Sequence, residues 1–164
     1  MNETTLKHLK EAFAGESQAN RKYLAFAAVA EAEGHSNAAK MFRAAAEAET
    51  IHALAHLKAM KGIGSTAENL REGVNGETYE FATMYPPMLA AAEAAGEKEA
   101  ARAFKFALQA EQVHAELYAK ILNNLDAKEE LSFHLCVVCG NVELTLPAMC
   151  SICGVGPQQF KLVN

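Results

Sequence analysis

From Thr4 to about Leu125 the apolar positions, most of them alanine, return every three or four residues between Glu, Lys and Asn, the spacing of helices with one buried face. Glycines and caps divide the stretch into four. The first helix runs from about Thr4 to Glu33 and stops at Gly34; the second opens after Ser36 or Asn37 and ends near Lys61, before Gly62 and Gly64. Ser65-Thr66-Ala67-Glu68 is a capping box, in which hydroxyl and carboxylate each satisfy a backbone N–H of the first turn, and it opens a third helix expected to reach Ala95 and stop at Gly96. The fourth spans Glu97 to about Leu125. Pro86 and Pro87 interrupt the third: proline has no N–H to donate and crowds the carbonyl four residues back, so a kink is expected at Tyr85 to Pro87. Met41, Met60, Met84 and Met88 read as fillers of core gaps.

The polar positions repeat on a longer scale. Shifted by 62 residues, Ala48-Glu49-Thr50-Ile51-His52-Ala53 falls on Ala110-Glu111-Gln112-Val113-His114-Ala115, Gly34 falls on Gly96 and Phe42 on Phe104; shifted by 61, Gly15-Glu16-Ser17 falls on Gly76-Glu77-Thr78. One helical hairpin has been written twice. Counting from the turn glycines at ~1.5 Å per residue, Glu16 lies 18 residues before Gly34 and Glu49 15 after it, while Glu77 lies 19 before Gly96 and Glu111 15 after, so the carboxylates of each pair stand at nearly one level. At i and i+3 the Glu and His of each ExxH share a helix face.

Facing the hairpins together gathers four glutamates and two histidines midway along a bundle. Desolvation and mutual repulsion would each cost several kcal/mol for buried carboxylates so close, and bound cations remove that cost. A Glu from each of two helices and an ExxH from each of two others is the ligand pattern of a carboxylate-bridged di-iron or di-manganese centre, and oxygen-rich donors with one imidazole per ion suit those metals. The bland alternative, six solvated polar positions, requires two unrelated coincidences of spacing. Glu80 breaks the symmetry: it is three residues after Glu77, its counterpart is Ala19, and it is either a seventh ligand or a solvated glutamate.

Composition changes the picture at the far end. Of 33 alanines, 32 precede Lys128, whereas residues 131–164 hold all four cysteines and five of the eight valines. Two domains are therefore expected, residues 1–128 as an all-α four-helix bundle and 131–164 as a small metal-bound module. Cys136, Cys139, Cys150 and Cys153 form two CxxC pairs ten residues apart, a strong metal signal, and spacing alone leaves iron and zinc both open. The net charge of -5 argues against nucleic-acid binding. No long uncharged apolar run and no basic-then-apolar start are present, so neither a membrane span nor an export signal is expected, and the protein reads as cytoplasmic. Reduced thiols suit that compartment.

The motifs GESQANRKY (from Gly15), GETYEFATMYP (from Gly76), FHLCVVCGN and CSICG with a closing QQFKLV resemble the rubrerythrin family nearly end to end. The resemblance implies a ferritin-like di-iron bundle followed by a rubredoxin-like domain. It implies that Glu16 and an exchanging Glu80/His52 pair serve one iron, Glu77 and His114 the other, with Glu49 and Glu111 bridging, and that Tyr23 and Tyr85 lie near the centre. It makes iron the better choice for the four cysteines. Ser151 stands where the family usually has proline.

The expected function is peroxidase activity, the reduction of hydrogen peroxide to water at two non-haem irons. The resemblance implies that electrons come through the four-cysteine iron, ultimately from a reduced nicotinamide by way of a separate reductase or rubredoxin. No glycine-rich dinucleotide fingerprint occurs in this chain. Two other readings compete: a ferritin-like ferroxidase handling iron, and a non-enzymatic protein whose tail binds zinc. The few residues between Gly62 and Ser65 cannot climb back along a helix, so a homodimer with exchanged hairpins is expected.

Overall fold

Asn2 starts the first helix. Its side-chain oxygen accepts from the N–H of Thr5 at 2.8 Å, and α1 then runs over Glu3–Ala32. It ends at Gly34, whose φ of +81° lets the His35 N–H reach back to the Ala30 carbonyl at 2.8 Å, and α2 follows at once over Ser36–Ala59. The computed structural model describes residues 1–163, and the chain falls into two units, Met1–Gly64 and Ser65–Asn164.

In the first unit α1 and α2 close on small side chains. Ala39, Ala46 and Ala53, seven apart on α2, are buried together with Ala27 and Ala30 of α1, so the two backbones approach closely. Asn20, itself buried, cross-links the pair by donating to the Ala46 carbonyl at 2.6 Å and to Thr50 Oγ1 at 2.8 Å. Tyr23, Phe26 and Phe42 stack beside this seam with ring centroids 5.6 to 6.4 Å apart. Two alanine-packed helices cannot cover long apolar side chains, and Phe26, Val29, Ile51 and Leu54 remain exposed. Met41 and Met88 do not fill the core as expected: they are 66% and 41% exposed, because alanine leaves no gap for them.

The second unit opens with the capping box, Ser65 N–H donating to Glu68 Oε2 at 2.7 Å and Glu68 N–H to Ser65 Oγ at 3.4 Å. α3 covers Thr66–Tyr79, α4 Tyr85–Ala94 and α5 Lys98–Asn123, with α3 and α4 both packed on α5. Gly73 lets the Tyr118 ring lie flat on α3, since a Cβ there would stand 3.2 Å from it. The irregularity expected at the prolines lies just before them: Glu80–Met84 is one π-helical turn in which the Tyr85 N–H bonds to the Glu80 carbonyl. Pro86 and Pro87 then occupy the first turn of α4, where a missing N–H costs nothing. Beyond α5 a three-stranded antiparallel sheet of order β2-β1-β3 is built from β1 Phe133–Cys136, β2 Val142–Glu143 and β3 Phe160–Val163. No helix among the described residues is long and apolar enough to cross a membrane.

α2 ends differently from the other hairpin helices. Its left-handed residue is Lys61, at φ 58°, and Gly62 follows with its N–H on the Leu57 carbonyl at 3.0 Å. A left-handed non-glycine residue costs roughly 1–2 kcal/mol, part of which glycine returns through its more flexible unfolded chain. Lys61→Gly is therefore expected to stabilise the protein by about 0.5–1 kcal/mol, read as a higher denaturation midpoint at unchanged slope; an unchanged or lower midpoint would refute this account of the turn.

Candidate metal centre

Each hairpin brings one glutamate from its entering helix onto the ExxH of its returning helix. In the first unit Glu16 on α1 meets Glu49 and His52 on α2, and in the second Glu77 on α3 meets Glu111 and His114 on α5. Within each triad one donor atom from every residue lies within 4.8 Å of the others. His52 Nδ1 stands 3.0 Å from Glu49 Oε2 and 3.9 Å from Glu16 Oε1; His114 Nδ1 stands 2.7 Å from Glu111 Oε2 and 3.9 Å from Glu77 Oε1. The sequence repeat is thus reproduced atom by atom.

In each triad the two carboxyls divide their roles. Burial, a hydrogen bond shared with Glu111 and the charge of Glu111 push Glu77 up to about 7. Its hydrogen bond to Glu49 raises Glu16, while accepting from Glu16 and His52 holds Glu49 below the usual carboxylate range. In each triad the carboxyl on the entering helix is raised by its neighbour on the returning helix, a repulsion that a bound cation would relieve. The charge of His56, four residues beyond His52, also acts on Glu16.

The surroundings are wetter than a closed bundle centre would be. His52 is 55% exposed and Glu16 29%, against 21% for His114 and 22% for Glu77. Glu80 sits on the π-helical turn, raised by burial and then by the charge of Glu77, and lowered by His114, so it belongs with the second triad. Its intended exchange partner His52 belongs to the first unit. Tyr85 is half-buried, its ring 6.3 Å from that of Phe104, and burial, then the charges of Glu80, Glu111 and Glu77, push its hydroxyl up. Tyr23 packs among Phe26 and Phe42.

One contact had no signal in the sequence. His114 Nε2 lies 2.9 Å from the carbonyl of Gly140, and a carbonyl can only accept, so Nε2 donates to it, while Nδ1 is aimed at Glu111 and Glu77. A ligating imidazole is commonly oriented in this way. Gly140 immediately follows Cys139, which ties the triad to the cysteine module.

That module consists of two matching knuckles. Gly140 N–H returns to the Cys136 carbonyl and Gly154 N–H to the Cys150 carbonyl, both at 3.0 Å, with φ of +82° and +76° at the glycines. All four sulfurs are free thiols lying within 4.8 Å of one another, and Cys136–Cys153 and Cys139–Cys150 are 3.6 Å apart. Four sulfurs at ~2.3 Å from a tetrahedral ion would be ~3.8 Å apart, so the cage fits one metal. Burial alone would push Cys150 up, but the backbone N–H groups of Cys153 and Ile152 aimed at its sulfur bring it down to about 6. Burial pushes Cys139 well up. Asn141 is fully buried between the knuckles, and no periodicity in the sequence singles it out.

Two repeated carboxylate–histidine triads on helices, followed by a four-cysteine knuckle module, define a metalloprotein of the di-iron carboxylate type. The chain belongs to the rubrerythrin family: the family model described as rubrerythrin matches residues 7–122. It is 39% identical over 153 residues to nigerythrin from Nitratidesulfovibrio vulgaris, covering 85% of this chain and 76% of that protein. It is 33% identical over 183 residues to rubrerythrin-2 from Clostridium acetobutylicum, covering 98% and 97%. A solved structure of nigerythrin in its fully reduced, all-ferrous state matches with a TM-score of 0.60 at 35% identity, covering 97% of this chain and 86% of that one. Rubrerythrins are oxidoreductases of oxidative-stress defence, which places this chain in that class.

The shared proton makes a pH prediction. In the metal-free protein Glu77 keeps its proton up to about 7, whereas the unfolded chain releases it near the ordinary value of 4.5. The native state therefore binds more protons in that window, and its stability falls as pH rises from 4.5 to about 7. Chelator-treated protein is expected to lose stability between pH 5 and 7.5 by more than the Glu77→Gln variant does, measured by denaturant unfolding at both values. Equal slopes for the two proteins would refute the shared proton.

Proposed function

We propose that this protein reduces hydrogen peroxide to water at a di-iron carboxylate site fed with electrons by an iron held in Cys136, Cys139, Cys150 and Cys153. The observation that carries the reading is the His114–Gly140 hydrogen bond, which joins a donor of the carboxylate site to the knuckle that would hold the electron-carrying metal. Storage of iron gives no use to such a connection, and a zinc-bound tail could not pass electrons along it.

Glu16 and either Glu80 or His52 would hold one ion, Glu77 and His114 the other, with Glu49 and Glu111 shared between them. Two ferrous ions, when bound, supply the two electrons that cleave the oxygen–oxygen bond of peroxide, which with two protons gives two waters. The chain's residues do the rest. Gly140 holds the His114 ring by its Nε2 hydrogen, with Nδ1 aimed at the carboxylates. Tyr85, whose hydroxyl is pushed above its ordinary value, would serve as a proton donor, and Glu80 has the raised affinity for protons that suits a group alternating between holding one and releasing it. The electrons come from a separate reductase or rubredoxin, and cytoplasmic residence fits the four free thiols.

We further propose that the complete site needs two chains. Residues 60–65 span at most ~20 Å, shorter than the ~36 Å of a 24-residue helix such as α2. The first triad is bordered by exposed Ile51 and Leu54, a surface suited to the second hairpin of another copy. In the resulting dimer each site takes Glu16, Glu49 and His52 from one protomer and the second triad from its partner.

Two measurements test these statements. Cys136→Ser should lower donor-driven peroxide reduction by at least about tenfold, roughly the loss from breaking one electron-delivery step, while oxidation of added ferrous iron persists; if peroxide turnover survived intact, the ferroxidase reading would replace this one. Glu49→Ala and Glu111→Ala chains should each be inactive alone, yet a mixed dimer of the two should regain one working site, because exchange places both intact halves together. No recovery on mixing would refute the exchanged dimer.

A further inference from the structure

Between the two cysteine knuckles lies a hydrogen-bonded group that the peroxidase reading does not use. Asn141 is fully buried; its Oδ1 has no hydrogen-bond partner among the described residues, and all of its side-chain bonding runs through Nδ2. Its Nδ2 lies 2.9 Å from Glu143 Oε1, 3.1 Å from Ser151 Oγ and 3.7 Å from Cys150 Sγ. Ser151 in turn donates its hydroxyl to Glu143 Oε1 at 2.9 Å. Two amide hydrogens are thus shared among a sulfur, a hydroxyl and a carboxylate, and a serine beside a cysteine holds that carboxylate in place.

We propose that Glu143 is a positioning residue for the iron held by the four cysteines, lowering its reduction potential through Asn141 and Ser151. Two effects act in the same direction. Reduction adds an electron to a site that is already anionic, and a carboxylate one amide away from the Cys150 sulfur opposes that added charge. The carboxylate also competes for the Asn141 hydrogens, two of which serve three acceptors, so the sulfur receives a weaker N–H bond than it otherwise would. A hydrogen bond to a thiolate favours the more negative, reduced state, and weakening it favours the ferric one. The site is tuned by its neighbours as much as by its ligands.

This inference rests on the four cysteines accepting iron, and the test separates the two ideas. Iron is reconstituted into the full-length chain in vitro and the potential is read from the visible absorption of the tetrathiolate during a redox titration. A natural protein carrying zinc there would sink the functional reading and leave this measurement intact. Glu143→Gln should shift the potential upward at unchanged iron content, and Ser151→Ala should shift it the same way by less, because the carboxylate keeps only its Asn141 tether. Glu129→Gln, an exposed glutamate before β1, should leave it where it was. If Glu143→Gln fails to hold iron, Ser151→Ala decides. Potentials unmoved or lowered in the variants that hold iron, or moved equally by Glu129→Gln, would overturn the proposal.

Discussion

The repulsion between paired carboxylates is the constraint on which this structure turns. Glu16 with Glu49, and Glu77 with Glu111, are held close enough that the first carboxyl of each pair binds its proton more tightly than an isolated one, a repulsion that a shared cation would relieve. A chain that only needed to fold would not place them so. The alanine seams of the first unit make the approach possible, because small side chains let two helices come near enough for residues at equal height to meet. The cost of the arrangement is recovered only when positive charge arrives, which explains why the same residues that make the apo protein less comfortable at neutral pH make it receptive to metal.

The cysteine module is coupled to that constraint through one ring. His114 faces two ways: Nδ1 toward the carboxylates, Nε2 toward the carbonyl that follows Cys139. Orienting the ring and joining the two donor sets are therefore one structural act. Asn141, one residue further on, continues the chain of contacts from Gly140 to the second knuckle.

Much of this was legible in the residues. Both turn glycines, the capping box, all six repeated donors and the cysteine pairs follow from local chemistry that a sequence carries openly. Four long helical rods were expected, and four are present, the third broken near the expected place. What was not legible depends on approach between distant segments: the Gly140 carbonyl offers no side-chain signal, and Asn141 looks like any turn asparagine until it is seen buried. The exposure of His52 could not be read either. An ExxH in an alanine-rich run promises burial, but burial requires a covering surface, and two alanine-packed helices leave that side open. Met41 and Met88 fail for the same reason, since an apolar residue is buried only where a partner exists to cover it.

The change in repeat offset, from 61 residues at Glu16 and Glu77 to 62 at Gly34 and Gly96, now has a physical origin. One extra residue lies between Glu77 and Gly96, and the π-helical turn Glu80–Met84 lies in that interval. A π turn is how a helix absorbs a single insertion without losing its bond ladder. The surrounding α-helix keeps its phase, so Glu77 still meets Glu111 at the height where Glu16 meets Glu49. The inserted turn begins at Glu80, the donor without a counterpart in the first half. Extra residue, widened turn and unmatched carboxylate are thus one feature: a symmetric pair of hairpins made unequal at a single point, Glu80.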